Sequence, residues 1–197
     1  VAQKLESWMH KKVSKAYPLK QLSSCDTLEI GAGTLNQIFY ELESGNYDFI
    51  EPLHFLYKDS PYLSRTRQGF ADISEPHPTS KYDRIISVAV LEHVDDLPQL
   101  LKKSIEHMAD GGVFACGIPS EGGFLWGAAW RFTTGLEYRL RTGLNYSELM
   151  RHEHLNEALE IERLLQYYFK DVKIRRLGLG RHLSLYTYIE CRTPKSG

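Results

Sequence analysis

Three observations predict an α/β fold in a single domain. Short apolar runs rich in β-branched residues alternate with helical patterns along most of the chain, the arrangement that builds a sheet covered by helices. One of those runs, residues 83–88, is nearly continuous in apolar residues beyond its start, as buried parallel strands are. The length is 197 residues, with 42% hydrophobic and 25% charged, which suits one compact domain with a real core and excludes a disordered chain.

Each element follows from its local pattern. Residues 1–22 read as an amphipathic helix carrying Lys4, Lys11, Lys12, Lys15 and Lys20 beside Trp8 and Met9. That face suits either solvent or contact with a membrane surface or an acidic partner, and solvent is the simpler reading. Thr27-Leu28-Glu29-Ile30 is the first strand, halted by Gly31. Residues 36–42 predict a short helix with Ile38, Phe39 and Leu42 on one face. Residues 47–51 are a second strand closed by Pro52, residues 68–73 a weaker third, and residues 83–88 the fourth. Leu97, Leu100, Leu101, Ile105 and Met108 recur at helical spacing over 97–108, with Asp95 or Asp96 as N-cap. Gly111-Gly112 ends that helix, and residues 113–118 are the fifth strand. The alternation then breaks. Residues 119–155 are rich in Gly, aromatics and Arg without a clear period, which marks a functional lid or a short-helix insertion. Asn156 is placed to cap a helix over 157–169, striped by Ala158, Ile161, Leu164, Leu165 and Tyr168. Residues 172–177 and 183–191 follow as two strands joined by Gly178-Leu179-Gly180, a link too short for a parallel crossover, so they are antiparallel neighbours.

Charge and composition narrow the function. Lys and Arg number 24 and Asp and Glu 25, for a net charge of −1, so nothing suggests a nucleic-acid partner. No apolar stretch approaches the ~20 residues that cross a bilayer. The longest, residues 85–91 and 124–130, stop at Glu92 and Arg131. No secretory h-region opens the chain, and Cys25, Cys116 and Cys191 show no short spacing, so a cytoplasmic, reducing location is the expectation.

Chemistry concentrates where the first strand ends. In Leu28-Glu29-Ile30-Gly31-Ala32-Gly33-Thr34, glycines let the backbone turn sharply and approach a ligand, and the following helix start offers unpaired N–H groups. The sixth position of the dinucleotide fingerprint is Asn36 rather than Gly or Ala, which disfavours a nicotinamide cofactor. Glu29 sits near the strand end, where a cationic amino group can be held. Glu51 ends the second strand about 20 residues after the glycines, the interval at which a carboxylate grips ribose hydroxyls.

With Tyr47-Asp48-Phe49-Ile50-Glu51-Pro52 and the run Tyr82-Asp83-Arg84-Ile85-Ile86-Ser87-Val88-Ala89-Val90-Leu91-Glu92-His93-Val94, that loop resembles the class I S-adenosylmethionine-dependent methyltransferases, in particular their small-molecule branch. Asp110-Gly111-Gly112 also matches, and the likeness covers residues 27–118. The resemblance implies a doubly wound, seven-stranded, mostly parallel Rossmann-like sheet with an antiparallel last strand, and S-adenosyl-L-methionine as cofactor. It further implies that Glu29, Gly31, Ala32 and Gly33 surround the methionine part of the cofactor, and that Glu51, beside Pro52, binds the ribose. Asp72 would face the adenine amino group with Ile73 against the ring, and Ala89 and Val90 would line the far side. One departure is Leu35, where the family commonly has another glycine, which puts the loop conformation in question.

Methyl transfer needs a general base only when the acceptor must lose a proton. His93, after the fourth strand, and His154, at the end of the insertion, are the candidates. Each also has a plain structural reading: a helix-start ring for His93, and a residue pinning the lid for His154. His152 and His154 flank Glu153, but alternate side chains of an extended segment diverge and no third ligand is spaced to help, so no metal site is expected. Ser87-Val88-Ala89-Val90 stands where nucleobase amino-methylating enzymes carry Asp/Asn-Pro-Pro-Tyr, which disfavours that reaction. Phe124, Trp126, Trp130 and Phe132, with Arg131, Arg139 and Arg141, suit either a substrate cap or the core of a helix pair. The expected reaction is O-methylation of a small molecule, a sugar, nucleotide-linked sugar or phenol. Carbon or amine methylation is the runner-up. A cofactor-free, partner-binding scaffold is the alternative class, and the intact Glu29, Gly31, Gly33 and Glu51 argue against it.

Overall fold

The computed structural model describes residues 2–18, 24–41, 45–120, 155–180 and 183–195. Helix α1 spans Ala2–Val13, shorter than the sequence suggests, and strand β1 spans Thr27–Ile30. A 3₁₀ turn at Asn36–Tyr40 leads to β2 (Tyr47–Ile50), a single helical turn α2 (His54–Tyr57) and β3 (Gln68–Phe70). Then come β4 (Tyr82–Val88), a 3₁₀ turn at Leu91–His93, α3 (Leu97–Glu106) and β5 (Met108–Pro119). Helix α4 (Ala158–Tyr168), β6 (Phe169–Leu179) and β7 (Leu183–Pro194) close the chain.

The seven strands form one sheet in the order β3-β2-β1-β4-β5-β7-β6. The first four pairings (β1 with β2 and β4, β2 with β3, β4 with β5) are parallel, and β7 runs antiparallel to both its neighbours. The expected α/β fold with its antiparallel last strand is therefore present. Two apolar layers cover the sheet. On one face Leu97, Leu101, Ile161 and Leu165 from α3 and α4 pack on Leu28, Ile85, Phe114 and Ile189. On the other, Val13 of α1 with Leu35 and Ile38 packs on Phe49, Ile86 and Ala115.

Four local expectations are corrected. The predicted helix over 36–42 is a 3₁₀ turn that leaves Phe39 65% exposed, because the buried position goes to Gln37, whose amide donates to Glu41 Oε1 at 2.5 Å and to His10 O at 3.3 Å. Leu42 lies outside the described residues. β3 stops at Phe70 rather than 73, since the chain turns at Asp72, whose Oδ1 accepts from both the N–H and the hydroxyl of Ser74. β5 begins at Met108, before the glycine pair rather than after it; its register to β4 jumps between Tyr82 and Arg84, and Gly111 absorbs the irregularity at φ +76°. Asn156 is not the cap of α4, whose N-cap is Glu157; the Asn156 side chain is spent elsewhere. Asp96 caps α3 as expected, accepting from Gln99 N at 3.0 Å.

The central strand β4 carries a buried cation. Arg84, on β4, is 2% exposed. Its Nε donates to Ala16 O at 2.6 Å, Nη1 to Glu41 Oε2 at 2.7 Å and Thr27 Oγ1 at 3.2 Å, and Nη2 to Val13 O at 3.2 Å and Glu41 Oε1 at 3.3 Å. A guanidinium has five N–H groups, and all five have acceptors. Burial alone would lower the Arg84 pKa, but the Glu41 carboxylate overrides it and raises it. Removing one partner of such a pair strands the other in a dry interior. Glu41→Ala should therefore cost about 3–5 kcal/mol in urea unfolding; a loss below about 1 kcal/mol, the range of an exposed pair, would contradict this account.

Candidate active site

Parallel strands end on one edge, so β3, β2, β1 and β4 deliver their carboxyl ends side by side. Ile50 pairs with Phe70 and with Ile30, and Ile30 pairs with Ser87. Three strand spacings of about 4.8 Å make that row of ends roughly 14 Å wide, the scale of a nucleoside with its substituent. Crevices at such edges are where open α/β sheets take ligands.

The loop after β1 folds back over this edge. Gly31 and Ala32 both donate their N–H to Ile50 O, at 2.9 and 3.1 Å. Gly31 lies at φ +70° with Val90 against it; a Cβ there would fall 2.3 Å from Val90 Cγ2, so only glycine fits. Gly33, at φ +51°, is different: a Cβ would meet nothing within 4 Å. Its bare backbone faces open space. Leu35, the departure from the family pattern, still adopts the left-handed conformation at φ +66°. Its side chain is fully buried, and that burial, worth about 1.5–3 kcal/mol, offsets the roughly 1–2 kcal/mol of a left-handed non-glycine. The left-handed turn at this position thus forms without a third glycine.

Glu51, the first residue past β2, is 7% exposed. Its Oε2 accepts Gly33 N–H at 2.8 Å and its Oε1 accepts Leu53 N–H at 2.9 Å. Two backbone donors therefore hold the carboxylate at the glycine loop, and each oxygen retains a lone pair for an incoming hydroxyl. Pro52 beside it is exposed. Asp72 is exposed beyond β3, its carboxyl held below the usual range by hydrogen bonds from Ser74, while Ile73 is buried in the core. Past β4, Ala89 is exposed at φ +54°, with its N–H on Gly117 O at 2.8 Å, and Val90 is half-buried. His93 is exposed on the turn that follows. The edge thus gathers Gly31, Ala32, Gly33, Glu51, Asp72, Ala89, Val90 and His93. His154 and all but the ends of the 119–155 insertion lie outside the described residues.

Glu29 lies within β1 and is buried. It is 3% exposed and accepts the Tyr47 hydroxyl at 2.8 Å, both side chains lying on the face that α1 covers. Burial pushes its pKa up to about 8 against the opposing pull of the Tyr47 hydrogen bond, with Glu41 and Glu51 adding to the rise. Sequence reasoning missed this: a Glu inside a four-residue strand has its side chain on one sheet face, and the tyrosine 18 residues away shares that face.

S-adenosylmethionine, the cofactor implied by the resemblance, fits what the edge offers. Its ribose diol needs an acceptor carboxylate at the end of β2, and its chain needs backbone uncovered by side chains, which Glu51 and Gly33 provide. Among the described residues, no three His, Cys, Asp or Glu side chains gather as a metal site, and no helix is long and apolar enough to cross a membrane.

Residues 8–168 match the family described as "Methyltransferase domain". No curated protein matches the chain. Solved structures with the same fold include the CurJ carbon methyltransferase, with TM-score 0.66 and 20% identity over 96% of this chain and 55% of that one. This chain thus spans little more than half of CurJ's. A possible histamine N-methyltransferase from Thermotoga maritima has TM-score 0.64 and 15% identity, over 96% of this chain and 92% of that one. NodS, an N-methyltransferase from Bradyrhizobium japonicum WM9 solved with S-adenosyl-L-homocysteine, has TM-score 0.62 and 13% identity, over 98% and 87%.

The Glu29 carboxyl makes stability depend on pH. Its folded pKa of about 8 lies above its ordinary 4.5, so the unfolded chain loses the proton first. The stability it contributes is complete below pH 4.5 and drains away as pH rises to about 8. Glu29→Gln should abolish a slope of up to about 1.4 kcal/mol per pH unit across that window in urea melts; an unchanged slope would place the titrating group elsewhere.

Proposed function

We propose that this chain, which belongs to the methyltransferase-domain family and has the seven-stranded Rossmann-like sheet, is a class I S-adenosylmethionine-dependent methyltransferase that methylates a hydroxyl of a small-molecule acceptor: a sugar, a nucleotide-linked sugar or a phenol. The observation that supports a hydroxyl is His93, exposed on the turn after β4 at the same sheet edge as the glycine loop. A hydroxyl must shed its proton during or after transfer, and imidazole is the side chain suited to take it near neutral pH.

When bound, the cofactor supplies a methyl group on a sulfonium, already an excellent leaving group, so the protein's work is alignment and exclusion of water. Glu51 accepts the ribose hydroxyls, its orientation set by the Gly33 and Leu53 N–H groups. Gly33 would let the methionine part lie against bare backbone, with Gly31, Ala32 and Glu29 around it. Asp72 would accept from the adenine amino group, and Ile73, Ala89 and Val90 would line the space for the ring. His93 accepts the acceptor's proton at a ring nitrogen, and His154 is the second candidate for that role. The 119–155 insertion, with its aromatic and Arg content, selects the acceptor.

A second reading has its own support. The similar structures include enzymes named as carbon and nitrogen methyltransferases, and an amine that arrives unprotonated attacks through its lone pair and sheds its proton only after transfer, with no base needed to activate it. Under that reading neither histidine matters much to the rate.

Calorimetric titration with S-adenosylmethionine tests the cofactor assignment. The parent should bind, and Glu51→Ala should weaken binding by about 1–3 kcal/mol, the worth of a charged hydrogen-bond partner. Absence of binding, or an indifferent Glu51→Ala, sinks it. An acceptor panel assayed with the parent, His93→Ala and His154→Ala tests the base. Loss of about 10²–10⁴ in kcat in one histidine variant, at unchanged cofactor affinity, supports O-methylation. Near-parental kcat in both gives the reaction to the amine or carbon reading.

A further inference from the structure

The turn after β4 is held by a residue far along the chain. From Ala89 the backbone passes through Val90, whose side chain occupies the space beside Gly31, and winds one 3₁₀ turn over Leu91–His93. His93 N–H donates to Val90 O at 2.8 Å, closing that turn. Three of its remaining carbonyls converge on residues 155 and 156. Leu91 O and Val94 O both accept from the Asn156 side-chain amide, at 2.9 and 2.7 Å. Glu92 O accepts the N–H groups of Leu155 and Asn156, at 2.8 and 3.1 Å.

Asn156 is 9% exposed. Its amide is short and planar and carries two hydrogens, so one group reaches two carbonyls of the same turn. A turn of three residues has few internal hydrogen bonds of its own, and carbonyls left dry are costly. The position of Val90, and through it of Gly31, therefore depends on contacts made from the start of α4.

We propose that Asn156 is a positioning residue for the cofactor: it fixes the 90–94 turn so that Val90 holds the glycine loop in its binding shape. The proposal rests on the cofactor reading above. It needs no contact between Asn156 and the ligand. Linkage makes it reciprocal, since a clamp that favours binding must itself be favoured by binding.

The test uses S-adenosyl-L-homocysteine as probe and the full chain. Its affinity is measured by calorimetry for the parent, Asn156→Asp, Asn156→Ala and Ser104→Ala, at a temperature where circular dichroism shows each folded. Ser104 is a matched control: a buried side chain on α3 whose hydroxyl donates to Leu100 O at 2.8 Å, away from the turn. Both Asn156 variants should bind about tenfold more weakly, while Ser104→Ala stays within about twofold, as an independent site does. A measurement without substitution guards against a variant that does not fold. Saturating the parent with S-adenosyl-L-homocysteine should slow hydrogen exchange at the Leu155 and Asn156 amides. Folded Asn156 variants that bind as the parent does, or exchange at those two amides unmoved by saturation, overturn the proposal while leaving the cofactor reading intact. A parent that fails to bind the probe overturns both.

Discussion

The Arg84 guanidinium is the interaction on which the arrangement of this fold depends. It enters from the central strand β4 and ties together the end of α1, the start of β1 and the 3₁₀ turn that follows the glycine loop, through Val13, Ala16, Thr27 and Glu41. Moving a cation out of water costs several kcal/mol, recovered only when every donor is matched. The matching here allows little freedom: shift α1 along the sheet by one residue and two acceptors are lost. Tyr17 closes the site, its ring 4.5 Å from the guanidinium carbon. Apolar packing would cover the sheet face equally well with α1 in several registers, whereas this network admits one.

Above that anchor the two glycines of the loop do different work. Gly31 is a packing glycine, required because Val90 stands where its side chain would be, while Gly33 is an access glycine whose surroundings are open. Glu51 binds the second of these from the neighbouring strand, so the acid that suits a ribose also stabilises the loop. Ala89, in a left-handed conformation that costs about 1–3 kcal/mol in an ordinary residue, carries the chain out of β4 toward the same edge. Backbone strain and a preset carboxylate thus collect at the edge where the ligand is expected.

How far this was legible in the sequence varies with the range of the interaction. The central strands were, because residues 83–88 are buried on both faces and an apolar run declares that without reference to anything distant. So was the Asp96 cap, whose partner is three residues away, and the Glu51 position, which follows from the regular length of a strand-turn-strand unit. Arg84 was readable only as the polar start of an apolar run, since its carboxylate lies 43 residues off. Asn156 looked like a cap because it precedes a helical stripe, yet its side chain bonds carbonyls 62 and 65 residues earlier. Leu35 failed the family's glycine pattern, but it adopts a left-handed backbone that a glycine would favour, because core burial outweighs a conformational penalty that composition alone cannot weigh. Local propensity shows in a sequence; a hydrogen bond between distant segments does not.

The position of β6 at the end of the sheet bears on how copies of the molecule meet. An edge strand of 11 residues offers a ladder of backbone groups long enough to recruit another chain. Along it stand the exposed cations Lys170, Lys173 and Arg175. A second copy adding antiparallel about Ile174 would set Lys173 opposite Arg175 twice over, and like charges facing across a strand pair repel. Glu190 neutralises Lys173 only in part, at 3.6 Å from an ammonium still largely in water. The strand can therefore be long enough to complete the sheet while its own charge pattern discourages fibrous growth.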